Sequence, residues 1–484
     1  MIRMYDFIVI GAGISGALIT RELSKYDVKV LLLEKENDVG NHATIANSAI
    51  VHSGHDPEPD TLKATLCVRG NALYEELENT LNIPLLRTGA FVVAHDATEE
   101  ATLEMLYERA NINKVPNVHY LSLSEAKKLE PNLSETVTKV LSLPSTKVTY
   151  PWEVALSAVE NAIMNGAEFK KNQTVTKIAY VSNQFTVEVN HQTQLQTRYV
   201  INCAGVFADH IASMLEKEVP YEITPRRGEY FVLDRRVKGF INHTLYPVPT
   251  DKGKGVLLVP QVHGNILVGP NSVFQSSKSD VSNSKDGLIY VKEEAARLAK
   301  DIPYNQVIRT FTGVRATSTY KDFFIQPSKE YPQFIHVAGI DSPGLTAAPA
   351  IAEYVVESII KKQTTLTKKL DFNPIRPKIK MFHDMSLEEK ISAFAENPRY
   401  GRLICKCEKI TEGDVVNHIH RVIPGDTVKG IKKRARAGSG ICQGGYCEVD
   451  VLKLISKELL IPLKSVNYYH PNTPILLEET KVKK

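Results

Sequence analysis

Asp6-Phe7-Ile8-Val9-Ile10-Gly11-Ala12-Gly13-Ile14-Ser15-Gly16 is the stretch on which the fold turns. Asp6 to Ile10 reads as a buried parallel strand. It runs straight into G-x-G-x-x-G, and residues 14–25 then show helical spacing. A second apolar strand, Val28 to Leu33, ends at Glu34. Gly11 permits the tight turn. Gly13 lets the backbone approach a pyrophosphate, and Gly16 lets helix and strand pack closely. The helix N-terminus, with Ser15 in its first turn, faces the phosphates. Glu34 can accept hydrogen bonds from ribose hydroxyls, and its carboxylate repels a 2′-phosphate. The bland reading is a glycine turn with no ligand. The strand, the helix and the acidic residue on the next strand speak against it. The motif alone does not separate NAD from FAD.

Working outward, 484 residues are too many for one ordinary core and suggest two to four domains. Apolar residues at 43% and charged residues at 24% fit a soluble globular protein, and a net charge of +4 argues for no particular partner. No run of about 20 uncharged apolar residues exists to span a bilayer. The first apolar run starts at Phe7 and breaks at Gly11, as a strand does and an export signal does not. The expected compartment is the cytoplasm.

Two downstream segments point to flavin. Tyr199 to Asp209 is a strand followed by the small-residue turn Ala204-Gly205. Phe334 to Ala350 reads as strand, glycine-containing loop and helix, with Gly344, Leu345 and Thr346 at the helix start. The helix continues through Ile351, Tyr354, Val355 and Ile359, spaced to bury one face. Its N-terminal partial charge would stabilise a reduced, anionic flavin. A purely structural helix-entry loop is the alternative. The strand resembles one carried beside the cofactor by flavoproteins of the D-amino-acid-oxidase and glutathione-reductase type. In that type a valine meets the adenine end through its backbone, and Val175 resembles that position.

Gly11 to Gly16, Asn47 to Gly54, Arg226 to Tyr230, Val259-Pro260 with Gly269-Pro270-Asn271, and Ser342 to Pro349 together resemble the FAD-dependent glycerol-3-phosphate oxidases and dehydrogenases. L-2-hydroxyglutarate oxidases share much of this pattern. The resemblance covers about residues 5–360. It implies a FAD-binding domain assembled from 1–85, 145–220 and 330–362, and a substrate domain of antiparallel sheet from 86–144 and 221–329. Tyr230 to Leu233, Val256 to Val259 and Asn265 to Val268 read as its short strands.

Oxidising a secondary alcohol needs a hydride acceptor and a base for the hydroxyl proton, and histidine suits the second role. The chain has 14 histidines, so most are bland. The resemblance makes His52 the base and His55 the weaker candidate. It makes Arg315 and Lys254 the substrate-binding cations, with Arg315 able to grip phosphate or carboxylate in two hydrogen bonds. Ser48 and Ser342 match positions lining the pocket. Each has a bland alternative: a hydrogen-bonded structural histidine, a solvated turn lysine, serines capping turns. Arg226 and Arg227 add positive field without an assigned contact. The expected reaction takes sn-glycerol 3-phosphate to dihydroxyacetone phosphate.

Four of the six cysteines, Cys405, Cys407, Cys442 and Cys447, crowd into the last fifth of the chain. In a cytosolic protein that favours a metal centre over disulfides, and spacing alone divides evenly between zinc and an iron–sulfur cluster. C-x-C, a gap of 34 residues and C-x-x-x-x-C resemble the bacterioferritin-associated-ferredoxin-like [2Fe-2S] domain. Thr411 is a natural N-cap for the helix that follows. Residues 363–400 are expected as linker, 401–465 as the cluster domain and 466–484 as a tail. From 401 onward 15 Lys and Arg stand against 9 Asp and Glu, leaving the rest near −2. Such a basic face would draw an acidic redox partner or offset a thiolate cluster. Nucleic acid is discounted, because no aromatic–basic platform accompanies the charge. His418 and His420 point to different helix faces, so they make a poor metal pair.

The expected fold is α/β. A Rossmann-like FAD-binding domain carries an inserted antiparallel substrate domain, and a small, mainly helical iron–sulfur domain follows. Flavin beside a one-electron cluster suggests a dehydrogenase feeding a partner. Two other readings stand against it: an L-2-hydroxyglutarate or other 2-hydroxy-acid dehydrogenase, and a non-catalytic electron-transfer flavoprotein.

Overall fold

A computed structural model describes residues 4–249, 253 and 255–478. Lys254, expected at the substrate pocket, lies outside the described residues. The chain forms two units: Met1–Lys35 with Val39–Arg376, and Glu36–Asp38 with Pro377–Lys484.

In the first unit, the strand Met4–Ile10 lies between Thr193–Asn202 and Val30–Leu33, parallel to both. Glu168–Lys170 extends the sheet beyond Val30–Leu33. Phe334–Ala338 joins Thr193–Asn202 in parallel on the other side. Phe7, Ile8, Val9 and their neighbours are almost fully buried, as a strand covered on both faces requires. The first helix, Ile14–Leu23, is shorter than its sequence spacing suggests, because Lys25 and Tyr26 close short turns onto Glu22 and Leu23. Val28 belongs to that connection too, bonding back to Tyr26, so the second strand begins at Val30.

The second sheet has nine strands drawn from residues 90–142 and 223–318. It is antiparallel apart from one joint, where Ala90–Ala94 runs parallel to Thr244–Pro247. These two strands come from separate segments, so no hairpin dictates their direction. Its longest ladder pairs Ile223–Leu233 with Val307–Ser318. The expected short strand at Tyr230 is therefore the end of an 11-residue one. A small third sheet, formed by Ile50–Val51, Lys147–Thr149 and Leu85–Leu86, anchors the backbone just before His52.

The helix Gly344–Tyr354 packs along Leu62–Leu81. A side chain at Gly70 would overlap the Thr346 carbonyl oxygen, so glycine sets how closely these helices approach.

The second unit is built around Ile404, Val415, Ile419, Ile431, Leu452 and Ile455, all buried. Thr411 caps Glu412–Ile419 reciprocally with Asp414. Two further features were not read from sequence. The segment 363–400 contains a capped helix, Leu387–Glu396, whose Leu387, Ile391 and Phe394 are exposed. Val466 is fully buried, and Val428 N–H bonds to the Asn467 carbonyl, so the described part of the C-terminal segment packs into this core.

Candidate functional site

The nucleotide loop shows why three glycines are spaced as they are. A Cβ on Gly11, whose φ is +100°, would sit 2.6 Å from the Cys203 carbonyl oxygen. One on Gly16 would overlap the Gly11 carbonyl oxygen. Both glycines are demanded by protein packing. Gly13 is different: a Cβ there meets only Thr44 Oγ1, at an ordinary 3.5 Å. What needs the open space at Gly13 lies in the cavity. Ile14 N–H donates to Thr44 Oγ1 at 3.0 Å, which fixes the helix entry. Glu34 Oε2 accepts from Ala12 N–H at 2.7 Å, so this carboxylate also organises the loop itself.

A cavity of about 1170 Å³ opens onto this loop. Gly11, Gly13, Ser15 and Glu34 line it at one part, with Val175, Ala204 and Gly205 beside them. Gly344 and Leu345, at the N-terminus of the helix Gly344–Tyr354, line it elsewhere. Two helix N-termini, an acidic strand end and open backbone at Gly13 and Gly205 suit a dinucleotide such as FAD in both charge and shape. Gly16 and Thr346 are not on the wall. Gly16 is packed against the Gly11 carbonyl, as above. Thr346 is fully buried and accepts from His52 N–H at 2.8 Å.

The same cavity is lined by His52, Ser48, Arg315 and Ser342. His52 is held from several directions. Its carbonyl accepts from Asn71 Nδ2 at 2.9 Å, and its Nδ1 lies 3.0 Å from Tyr246 Oη. Tyr246 is buried, and burial pushes its phenol well above the usual tyrosine range, so the hydroxyl stays protonated. His55 points elsewhere, with its Nδ1 3.0 Å from Ser53 Oγ. Ser48 Oγ lies 3.2 Å from Tyr230 Oη, whose ring stacks on Phe311. Arg315 stands directly across the ladder from Arg226. Its two terminal nitrogens reach the carbonyls of Arg227 and Asn271 only at 3.4 Å. Arg227 is bound to Gln275 Oε1 at 2.6 Å and Asp280 at 2.7 Å. Tyr246 and Asn71 were not found from sequence, because no motif marks them, and Tyr230 was read there as part of a motif and a strand without a pocket role.

The four cysteines of the second unit form one connected group, with Cys405 hydrogen-bonded to both Cys447 and Cys407. Cys407 Sγ is 3.5 Å from Cys442 Sγ, and Cys405 is hydrogen-bonded to Cys447. The Cys447 bond, aided by the backbone N–H groups of Gly438 and Glu408, lowers the Cys405 thiol to about 5. Cys442 is lowered too: burial opposes this, but the amides of Gly444 and Tyr446 outweigh it. Gly438 and Gly444 have φ near +84° and +100°, and a Cβ on Gly440 would press on Cys407 at 2.7 Å. Four connected thiols with backbone amides aimed at sulfur suit a thiolate-ligated centre such as a [2Fe-2S] cluster.

Part of the basic run is paired within this unit. Lys433 Nζ and Arg434 both bind buried Asp38 at 2.8 Å, and Arg436 Nε binds Glu408 at 3.0 Å. His418 is buried with Nε2 3.3 Å from Met381 Sδ, while His420 pairs with Glu458.

The fold, the nucleotide loop and the thiol set define a flavin- and iron–sulfur-dependent oxidoreductase. The chain belongs to the FAD dependent oxidoreductase family, whose model matches residues 6–358. Residues 403–457 match the BFD-like [2Fe-2S] binding domain. The chain is 40% identical over 478 residues to glycerol 3-phosphate dehydrogenase of Caloramator mitchellensis, covering 99% of each. It is 33% identical to glycerol 3-phosphate oxidase of Mycoplasma genitalium, over 76% of this chain and 97% of that one. Among solved structures it resembles the FAD-bound, dithionite-reduced L-α-glycerophosphate oxidase of Mycoplasma pneumoniae. There the TM-score is 0.74 and the identity 28%, covering 78% of this chain and all of that one. Among the described residues no helix is long and apolar enough to cross a membrane.

Proposed function

We propose that this chain oxidises sn-glycerol 3-phosphate to dihydroxyacetone phosphate and delivers the electrons one at a time to a redox partner in the cytoplasm. The observation that carries the reading is that His52 and Arg315 line the same cavity as the nucleotide loop. Bound FAD supplies the hydride acceptor, and a [2Fe-2S] cluster supplies the one-electron outlet. Gly11, Gly13, Ser15, Gly16, Glu34, Val175, Ala204, Gly205, Gly344, Leu345 and Thr346 form the FAD site. Of these, Gly16 and Thr346 act from behind the wall, by shaping it. Cys405, Cys407, Cys442 and Cys447 hold the cluster.

His52 takes the C2 hydroxyl proton on Nε2, with Nδ1 oriented by Tyr246. Arg315 grips the phosphate, and Lys254 adds a second charge. Ser48 and Ser342 orient the glycerol hydroxyls. The FAD-binding domain is drawn from 1–85, 145–220 and 330–362, and the substrate domain from 86–144 and 221–329.

The test is anaerobic flavin bleaching by sn-glycerol 3-phosphate, with L-2-hydroxyglutarate as the rival substrate. The native enzyme is bleached by the first and not the second. A His52→Ala enzyme that retains FAD is reduced about 10²- to 10⁴-fold more slowly. Reduction at the native rate would remove His52 from the reaction.

A further inference from the structure

The ladder between Ile223–Leu233 and Val307–Ser318 sets Arg226 directly opposite Arg315. Directly opposed residues of an antiparallel pair project from the same face, and like charges there repel. Both side chains line the cavity that holds His52. Repulsion of this kind is stable when an anion sits between the charges. We propose that Arg226 is a substrate-binding residue, and that Arg226 and Arg315 together form a two-sided clamp for a doubly charged phosphate head group. This rests on the phosphate-ester reading above and extends it to a residue that reading leaves without a contact.

The surroundings fit a clamp better than a structural pair. Glycine lies against each guanidinium: a Cβ on Gly228 would come within 2.5 Å of Arg315 Nη2, and one on Gly253 within 3.2 Å of Arg226 Nη2. A larger residue at either place would displace the cation. Among the described residues Arg315 is held by two long carbonyl contacts, which leave donors for a ligand. Arg226 lies 5.0 Å from the Phe274 ring centroid, and that ring supports the guanidinium from one side. Burial and the facing Arg315 both lower the Arg226 guanidinium from its ordinary value, while Asp341 opposes them. Asp341 is itself paired with Lys63 at 2.8 Å. A dianion offers oxygens to both forks, whereas a single carboxylate fully satisfies only one.

The test uses the holoenzyme with Arg226→Gln and Arg226→Lys, each checked for FAD content and melting temperature. Inorganic phosphate is titrated against the flavin absorbance, and sn-glycerol 3-phosphate against the rate of flavin reduction. We expect Arg226→Gln to raise the phosphate Kd and the substrate KM about 10- to 100-fold. Its limiting reduction rate should change far less, and Arg226→Lys should recover part of the affinity. Native affinity for phosphate and substrate in a folded, FAD-loaded Arg226→Gln enzyme would overturn the clamp. The two readings fail separately. If native enzyme ignores sn-glycerol 3-phosphate yet Arg226→Gln still loses phosphate binding, the clamp stands and the substrate reading falls.

Discussion

The Tyr246 hydroxyl stands 3.0 Å from Nδ1 of His52, although 194 residues separate the two in sequence. A partner at Nδ1 fixes which ring nitrogen carries the proton and turns the ring toward the cavity. Replacing Tyr246 by Phe should lower the limiting rate of flavin reduction roughly tenfold while leaving KM and FAD content nearly unchanged. Burial keeps this phenol protonated throughout the ordinary assay range. The ratio of native to Tyr246→Phe rates should therefore stay level from about pH 6 to 9. Stopped-flow reduction across that range measures it, and a ratio falling steadily with pH would count against a positioning role.

The three loop glycines should separate under mutation. Gly16→Ala forces a methyl into the Gly11 carbonyl and should destabilise the fold by about 1–3 kcal/mol. Gly13→Ala finds room in the protein and should leave the apoprotein melting temperature within a degree or two. It should nevertheless weaken FAD binding, because the methyl occupies space on the cavity side. Calorimetry of the apoproteins with FAD titration distinguishes the two effects.

The thiol pairs predict a divided phenotype. Metal analysis of anaerobically purified protein should give about two irons per chain and no stoichiometric zinc. Cys407→Ser should lose most of that iron while its flavin is still bleached by substrate. Reduction of a one-electron acceptor that cannot take electrons from flavin directly should then fail. Zinc without acid-labile sulfide in the native protein would end the electron-transfer reading.

Glu216 gives a pH signature in stability. It is buried, with Oε1 3.2 Å from His336 Nε2. Burial alone would raise its pKa, but the hydrogen bonds from His336 and Ser328 win, and the carboxyl lies below its ordinary value. The folded state thus binds fewer protons than the unfolded chain in acid. The stabilisation is fully present above about pH 4.3, the unfolded value, and is lost as pH falls toward the folded one. Urea denaturation between pH 3 and 6 should show Glu216→Gln less stable at pH 6 and flatter below pH 4.5. Parallel curves for the two proteins would remove Glu216 as a contributor.

Legibility in the sequence followed the range of each constraint. The nucleotide loop could be read because strand, glycine spacing and helix follow one another within a short stretch, and Gly16 answers to the Gly11 carbonyl five residues back; the contact of Gly11 with Cys203 is distant and was not readable. Thr411 was readable for the same reason, since its reciprocal cap closes over three residues. The pairing of Arg226 with Arg315 was not readable. It depends on a register between strands some 90 positions apart, and a slip of one residue would have turned one of the two side chains away. The helix Leu387–Glu396 was missed because prolines on either side dominate the segment and its apolar positions lack a buried partner. Composition counted the charges of the basic run but could not show that Asp38 and Glu408 lie against Lys433, Arg434 and Arg436.

The hydroxyl of Thr346 ties the backbone of His52 to the first turn of a helix 294 residues further on. It works as a spacer gauge. On the function proposed above, the proton acceptor would be indexed to the helix end at the cofactor, while the guanidiniums ride on a different sheet. A shift of that sheet would therefore loosen the hold on substrate before it altered the reach of His52. Substitutions that broaden substrate choice can accumulate among the arginine-bearing strands without recalibrating the distance at which the bond is broken.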